Sequence, residues 1–134
     1  DCSNKGITRL EYIPDGITSL YCYNNKLTEL PKLPESLTDL NCINNKLTEL
    51  PKLPESLISL DCDYNELTEL PKLPESLTDL SCQNNQLTEL PKLPESLINL
   101  WCENNNLPYK VTIENLKEHN TLIKRKQILK LICT

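Results

Sequence analysis

The hydrophobic positions along this chain follow a short strand pattern interrupted by a longer, proline-marked one. In "SLTDLNCINN", Leu37, Leu40 and Cys42 face one way while Asp39, Asn41 and Ile43 face the other, as along a strand with one buried side. Between such segments stands "LTELPKLPESL", which begins at Leu27, Leu47, Leu67 and Leu87 with no substitution in any copy. Its leucines, Leu27, Leu30, Leu33 and Leu37 in the first copy, are expected to line an interior. Its prolines, Pro31 and Pro34, fix φ and donate no hydrogen bond, so this stretch reads as extended, polyproline-like or briefly 3₁₀ backbone rather than α-helix.

Cysteine sets the period. Cys2, Cys22, Cys42, Cys62, Cys82 and Cys102 recur every twenty residues, and only Cys133 lies off the grid. Aligned on them, the unit is LxxLxCxxNxLTELPKLPES, the spacing of a leucine-rich repeat in which each unit forms one coil with a short strand. The expected fold is a right-handed superhelical solenoid with a parallel β-sheet on its concave side, an extended convex side and a helical C-terminal cap. Residues 1–108 would hold about five to six units, and residues 109–134 the cap. Asn25, Asn45, Asn65, Asn85 and Asn105 follow the strands; a side chain that both donates and accepts can satisfy backbone groups of neighbouring coils, so they are read as a structural ladder. Lys5 takes that slot in the first unit, which is therefore expected to be atypical.

These motifs resemble the short bacterial-type leucine-rich repeats of secreted effectors of the YopM and IpaH kind, and are similar to repeats encoded by giant DNA viruses, where "LPxLPxxLxxLxC" runs are frequent. The resemblance covers about residues 1–108 and departs in placing Cys where many such repeats carry Val or Leu. It implies a protein-binding scaffold acting in the cytoplasm of a cell, the host's if the protein is an effector or viral. Neither the helical hairpin that precedes the repeats in effector relatives nor the catalytic domain that follows them in the ligase branch is visible here.

Composition narrows the remaining chemistry. The 134 residues contain no Phe, no Met and two Gly, so the chain has neither an ordinary irregular core nor a glycine-rich phosphate loop. Without Met, Asp1 is not expected to be the translated start, and the natural protein is expected to be longer. No run approaches the ~20 apolar residues of a membrane span, and no signal peptide is evident. Residues 1–109 carry 8 Lys/Arg against 17 Asp/Glu, a charge of −9, while residues 110–134 carry 6 against 2, or +4. So acidic a repeat surface excludes nucleic acid as its partner, because phosphate binding requires clustered cations. The Glu29, Lys32 and Glu35 columns, repeated through the units, read as a solvated, mutually compensating ladder.

The cysteine column invites disulfides or a metal. Strands ~4.8 Å apart with parallel side chains would strain an S–S bond, and one Cys per coil does not converge on a metal. Cys is read as a small buried hydrophobe; no metal or other cofactor is expected, and reduced thiols fit an intracellular setting. Catalysis lacks a constellation: His119, alone in "LKEHN", reads as surface, and Cys133 as packing. In the C-terminal segment, Thr112 is expected to cap a first short helix containing Leu116, with Asn120 and Thr121 ending it and starting a second. Leu122, Leu129 and Ile132, with Ile128 beside them, would cover the last coil; a basic amphipathic helix can also bind membranes, but covering the stack end is obligatory and is preferred.

Variation concentrates on the outward strand positions and the rim after them. The candidate protein-binding residues are Tyr21, Tyr23, Asp39, Asn41, Ile43, Asp61, Asp63, Tyr64, Asp79, Gln83, Trp101 and Glu103. Four of the six aromatic side chains fall among them, where packing does not require them, and rigid exposed aromatics are typical of interfaces. The acidic members favour a protein or peptide partner with basic side chains. Drift of loosely constrained positions between duplicated units is the competing reading. Two other classes stay open: the substrate-selecting fragment of a larger enzyme, such as a ubiquitin ligase of the IpaH kind, and a structural or engineered array with no ligand.

Overall fold

The computed structural model describes residues 1–133. Five strands of three residues each, β1 (Ser19–Tyr21), β2 (Asp39–Asn41), β3 (Ser59–Asp61), β4 (Asp79–Ser81) and β5 (Asn99–Trp101), form one parallel sheet in chain order. The pairing register is the period itself: Leu20 pairs with Leu40, Leu40 with Leu60, Leu60 with Leu80 and Leu80 with Leu100. Each coil thus stacks on the next without offset, and identical side chains form columns. Leu27, Leu47, Leu67 and Leu87 are fully buried, as are Leu37, Leu57 and Leu77, and the core is a continuous pile of leucine layers.

The return segments contain no helix; the prolines hold them extended until Pro34 accepts a bond from the Leu37 amide at 3.1 Å, a turn repeated at Pro54, Pro74 and Pro94. The serine of each "LPES" bonds backward. Ser56 Oγ donates to the carbonyls of Glu35 and Leu37, and Ser76 and Ser96 do the same one coil on. This third column, beside Leu and Asn, gives the constant serine a role that periodicity alone did not reveal.

The asparagine ladder is formed. Asn45 Nδ2 donates to the carbonyls of Cys22 and Cys42, and its Oδ1 accepts from Leu27 N–H at 3.0 Å; Asn65 and Asn85 repeat the pattern. One amide therefore joins two coils and satisfies buried backbone groups that would cost about 1–3 kcal/mol each if left unpaired. Lys5 contributes only its backbone N–H, to Asn25 Oδ1. In that first coil Cys2, Ile7, Leu10 and Ile17 are only partly buried.

The C-terminal segment departs from expectation. A single helix, α1 (Leu116–Cys133), replaces the two short ones. Thr112 Oγ1 and the Asn115 amide still form the expected capping interaction, with Thr112 N–H returned to Asn115 Oδ1. No break occurs at Asn120 because its side chain, which elsewhere competes with helical backbone, bonds instead to Leu93 N–H and C=O, each at 2.8 Å. Thr121 bonds back to Lys117 C=O within the helix. Leu122, Leu129 and Ile132 do not cover the last coil: they are 40%, 59% and 74% exposed, and Ile128 is also exposed. The packed face consists of Leu116, His119 and Ile123, so α1 lies against the return segments around Pro91 and Leu93. Part of the end-covering task falls to the preceding segment, where Val111 is buried, its carbonyl accepting the Cys102 thiol at 3.3 Å.

His119 is not a surface residue. It is 2% exposed, with Nδ1 2.7 Å from the Tyr109 hydroxyl and Nε2 2.9 Å from the Pro91 carbonyl. Since a carbonyl only accepts, Nε2 carries the proton and Tyr109 donates to Nδ1. Cys133, expected to pack, is exposed. The charged columns are also looser than a compensating ladder: among the described residues only Lys92 reaches a neighbouring column, 3.9 Å from Glu75, and Glu89 pairs with Lys126 of α1.

Candidate functional site

Three-residue strands place two side chains each on the solvent face, and register aligns them into two columns. One runs Ser19, Asp39, Ser59, Asp79, Asn99 and the other Tyr21, Asn41, Asp61, Ser81, Trp101. Position 23 and its equivalents, Ile43, Asp63, Gln83 and Glu103, continue the face beyond the strands. Tyr21, Tyr64, Trp101 and Glu103 are exposed, while Tyr23, Asp39, Asn41, Ile43, Asp61, Asp63, Asp79 and Gln83 are half-buried. All twelve candidates therefore lie on or beside one surface.

The acidic residues on it are not equivalent. Asp39 accepts from Thr38 and Ser19, and Asp79 from Thr78 and Asn99; the last two bonds hold the Asp79 carboxyl below its usual range. Asp63 Oδ1 accepts from Ser81 Oγ and Gln83 N–H, both at 2.7 Å, and so ties two coils together. Asp63 thus has structural work as well as exposure, which a reading of outward positions missed. Asp61 lacks such support: its carboxyl meets only the Asp63 amide at 3.5 Å, and desolvation, with the Asp63 charge next, pushes it up to about 6.

The rim has its own logic. Asn4, Asn24, Asn44, Asn84 and Asn104 all have φ between 55° and 58°, the left-handed conformation that Asn tolerates better than most side chains. Asn24 and Asn44 each donate to the Asn one coil earlier at 2.9 Å. Tyr64 breaks this row while holding φ at 55°, and its ring is 58% exposed. A bulky residue kept in strained backbone without burial is not explained by packing. At the opposite rim, Ile58 and Ile98 are 44% and 66% exposed at strand entry, where other units have Thr. These two escaped the sequence reading because they precede the strands, and only the outward strand positions and the rim after them were considered; the Thr-to-Ile change was the available signal.

Beneath the face, the cysteines are closed off. Burial raises the thiols of Cys42 and Cys62 well above the ordinary value and pushes Cys22 up to about 12 and Cys102 to about 11. They stay protonated; Cys22, Cys42 and Cys62 donate to the next strand, with Cys22 Sγ 3.6 Å from Asn41 C=O and Cys62 Sγ 3.4 Å from Ser81 C=O, and Cys102 donates to Val111 C=O. Such thiols are packing groups, not nucleophiles. Among the described residues no group of three or more His, Cys, Asp or Glu side chains converges as a metal site, and no helix is long and apolar enough to cross a membrane.

The stacked coils, the parallel sheet and the Asn column define a leucine-rich repeat solenoid. Its short, effector-like repeats are of the bacterial type: the chain matches the structure of YopM from Yersinia enterocolitica with a TM-score of 0.75 and 44% sequence identity, over 75% of this chain and 22% of that one. It also matches a Shigella effector leucine-rich repeat domain with a TM-score of 0.81 and 38% identity, over 84% of this chain and 52% of that one. The chain thus spans about half or less of the chains it resembles. No protein-family model and no curated protein matches it.

Proposed function

We propose that the strand face is a non-catalytic protein-interaction surface that binds a protein or peptide carrying basic side chains. The observation that carries this reading is Tyr64: a strained, exposed aromatic interrupts an otherwise regular asparagine row, on the same surface as Tyr21 and Trp101. Aromatic side chains of this kind give large contact area at small rotameric cost. Asp61 and Glu103 supply negative charge beside them, and a partner's Lys or Arg near Asp61 would hold that carboxyl ionised. Likeness to effector repeat domains supports a scaffold role, and five buried, unbridged thiols support a reducing compartment such as the cytoplasm.

The test uses the intact chain and purified variants. Partners captured from cell extract are isolated, then titrated against wild type, Tyr64→Asn, Trp101→Ala, Asp61→Lys and the return-side control Glu69→Ala. The reading expects affinity losses of about tenfold or more for the aromatic variants and for Asp61→Lys, with Glu69→Ala unchanged. Equal affinity across the set, in variants with wild-type melting behaviour, would refute it.

A further inference from the structure

The molecule carries two apolar surfaces of opposite charge on opposite sides of its coils. The strand face offers Trp101 and Tyr64 beside Asp61 and Glu103, within a repeat region of charge −9. On α1, Leu122, Leu129 and Ile132 are exposed, and Lys124 and Arg125 make no ion pair among the described residues. At 100° per residue Leu122, Arg125, Leu129 and Ile132 share the side of the helix that points away from the packed Leu116–His119–Ile123 stripe. That stripe rests on the return segments, so the helix cannot meet its own sheet. The dimensions match: residues 122–132 extend about 15 Å, and five strands at ~4.8 Å spacing span about 19 Å.

We propose that the outer face of α1 docks on the strand face of a second copy of this chain, with Arg125 set against Asp61 and Glu103 and Leu129 against the aromatic rings. The proposal rests on the strand face being a binding surface and names one occupant for it. Because the two contacting surfaces differ, the association is head-to-tail, and repetition builds a ring where the rotation between copies closes and an open chain where it does not. An anionic lipid surface is the other candidate for a basic helix with exposed leucines. It is disfavoured because the acidic coils that carry the helix are repelled by the same surface that attracts it, whereas a second copy attracts through both.

Sedimentation of the intact chain from about 1 μM to about 1 mM tests this, a range that covers weak and moderate interfaces. Average mass should rise with concentration at low salt and fall back toward the monomer near 1 M salt, where screening shortens to about 3 Å. Arg125→Glu, and separately Asp61→Lys with Glu103→Lys, should each abolish association. A chain carrying both reversals should regain it, since the charges again match. Wild type that remains monomeric at low salt overturns the proposal, as does association untouched by either reversal. So does monomeric protein that sediments with phosphatidylserine vesicles, which assigns the helix to lipid. A Leu/Lys amphipathic peptide titrated against Trp101 emission separates the two levels: binding by a wild type that does not self-associate overturns self-docking alone, and no binding overturns the strand-face reading as well.

Discussion

Each coil has a constant half and a free half, and the difference between them is the most informative property of the molecule. In the constant half Leu67 is fully enclosed, Ser76 bonds two carbonyls of the previous coil, and Pro74 accepts the turn bond from Leu77. The leucine and serine contacts reach the coil before or after, so a change in one copy must be matched in its neighbours. In the free half Tyr21, Asn41, Asp61, Ser81 and Trp101 occupy one column with five different side chains, because the pairing that aligns them is made by the backbone. Constancy marks what stacking demands. Variation marks where something else can select.

Mutations that cross this division should behave asymmetrically. Leu67→Ala leaves a cavity between two leucine layers and should cost about 2–5 kcal/mol, read as a lower denaturant midpoint. Asn65→Ala removes the partner of the Cys42 carbonyl and the Leu47 amide and should cost about 2–4 kcal/mol by the same measurement. In the free half the sign reverses. Tyr64→Asn relieves a bulky residue at positive φ and should stabilise by about 1 kcal/mol while weakening partner binding.

Asp61→Asn isolates an electrostatic cost. The carboxyl titrates at about 6 when folded against about 4 when unfolded, so folding favours its protonated form. Stability from this group is therefore fully present below pH 4 and is lost as pH rises through 6. Partial solvent screening limits the loss to about 1 kcal/mol. The Asn variant should gain that amount at pH 7, nothing at pH 3.5, and show a flatter stability-against-pH curve in chemical denaturation. Smallest of all, Trp101→Ala should shift stability by about 1 kcal/mol or less, because its ring is 44% exposed.

Most of the architecture was legible because repetition makes local patterns cumulative. Cys at twenty-residue spacing gave the register, and Asn after each strand gave the ladder, since an amide is one of few side chains that can both donate and accept between coils. What escaped were contacts that arise once. Asn120 pairs with Leu93 twenty-seven residues away, and His119 with Pro91 twenty-eight away, and no periodicity points to either. For the same reason the apolar residues of α1 were assigned to the wrong side: Leu116 and Ile123 were as available as Leu122 and Leu129, and only the polar bonds of Asn120 and His119 decide which face turns inward. At the site, outward strand positions were readable from alternation, but the bonds of Asp63 to Ser81 and Gln83, and the positive φ under Tyr64, required coordinates.

The central claim is that the free half binds while the constant half only builds. Site-specific photo-crosslinking tests it most directly, with a photoreactive amino acid placed at Trp101 in one protein and at exposed Glu69 in another, both challenged with the same isolated partner. The account predicts adducts at 101 that a basic competitor peptide abolishes, and none at 69. Equal crosslinking at the two positions, or adducts at 69 alone, would contradict it.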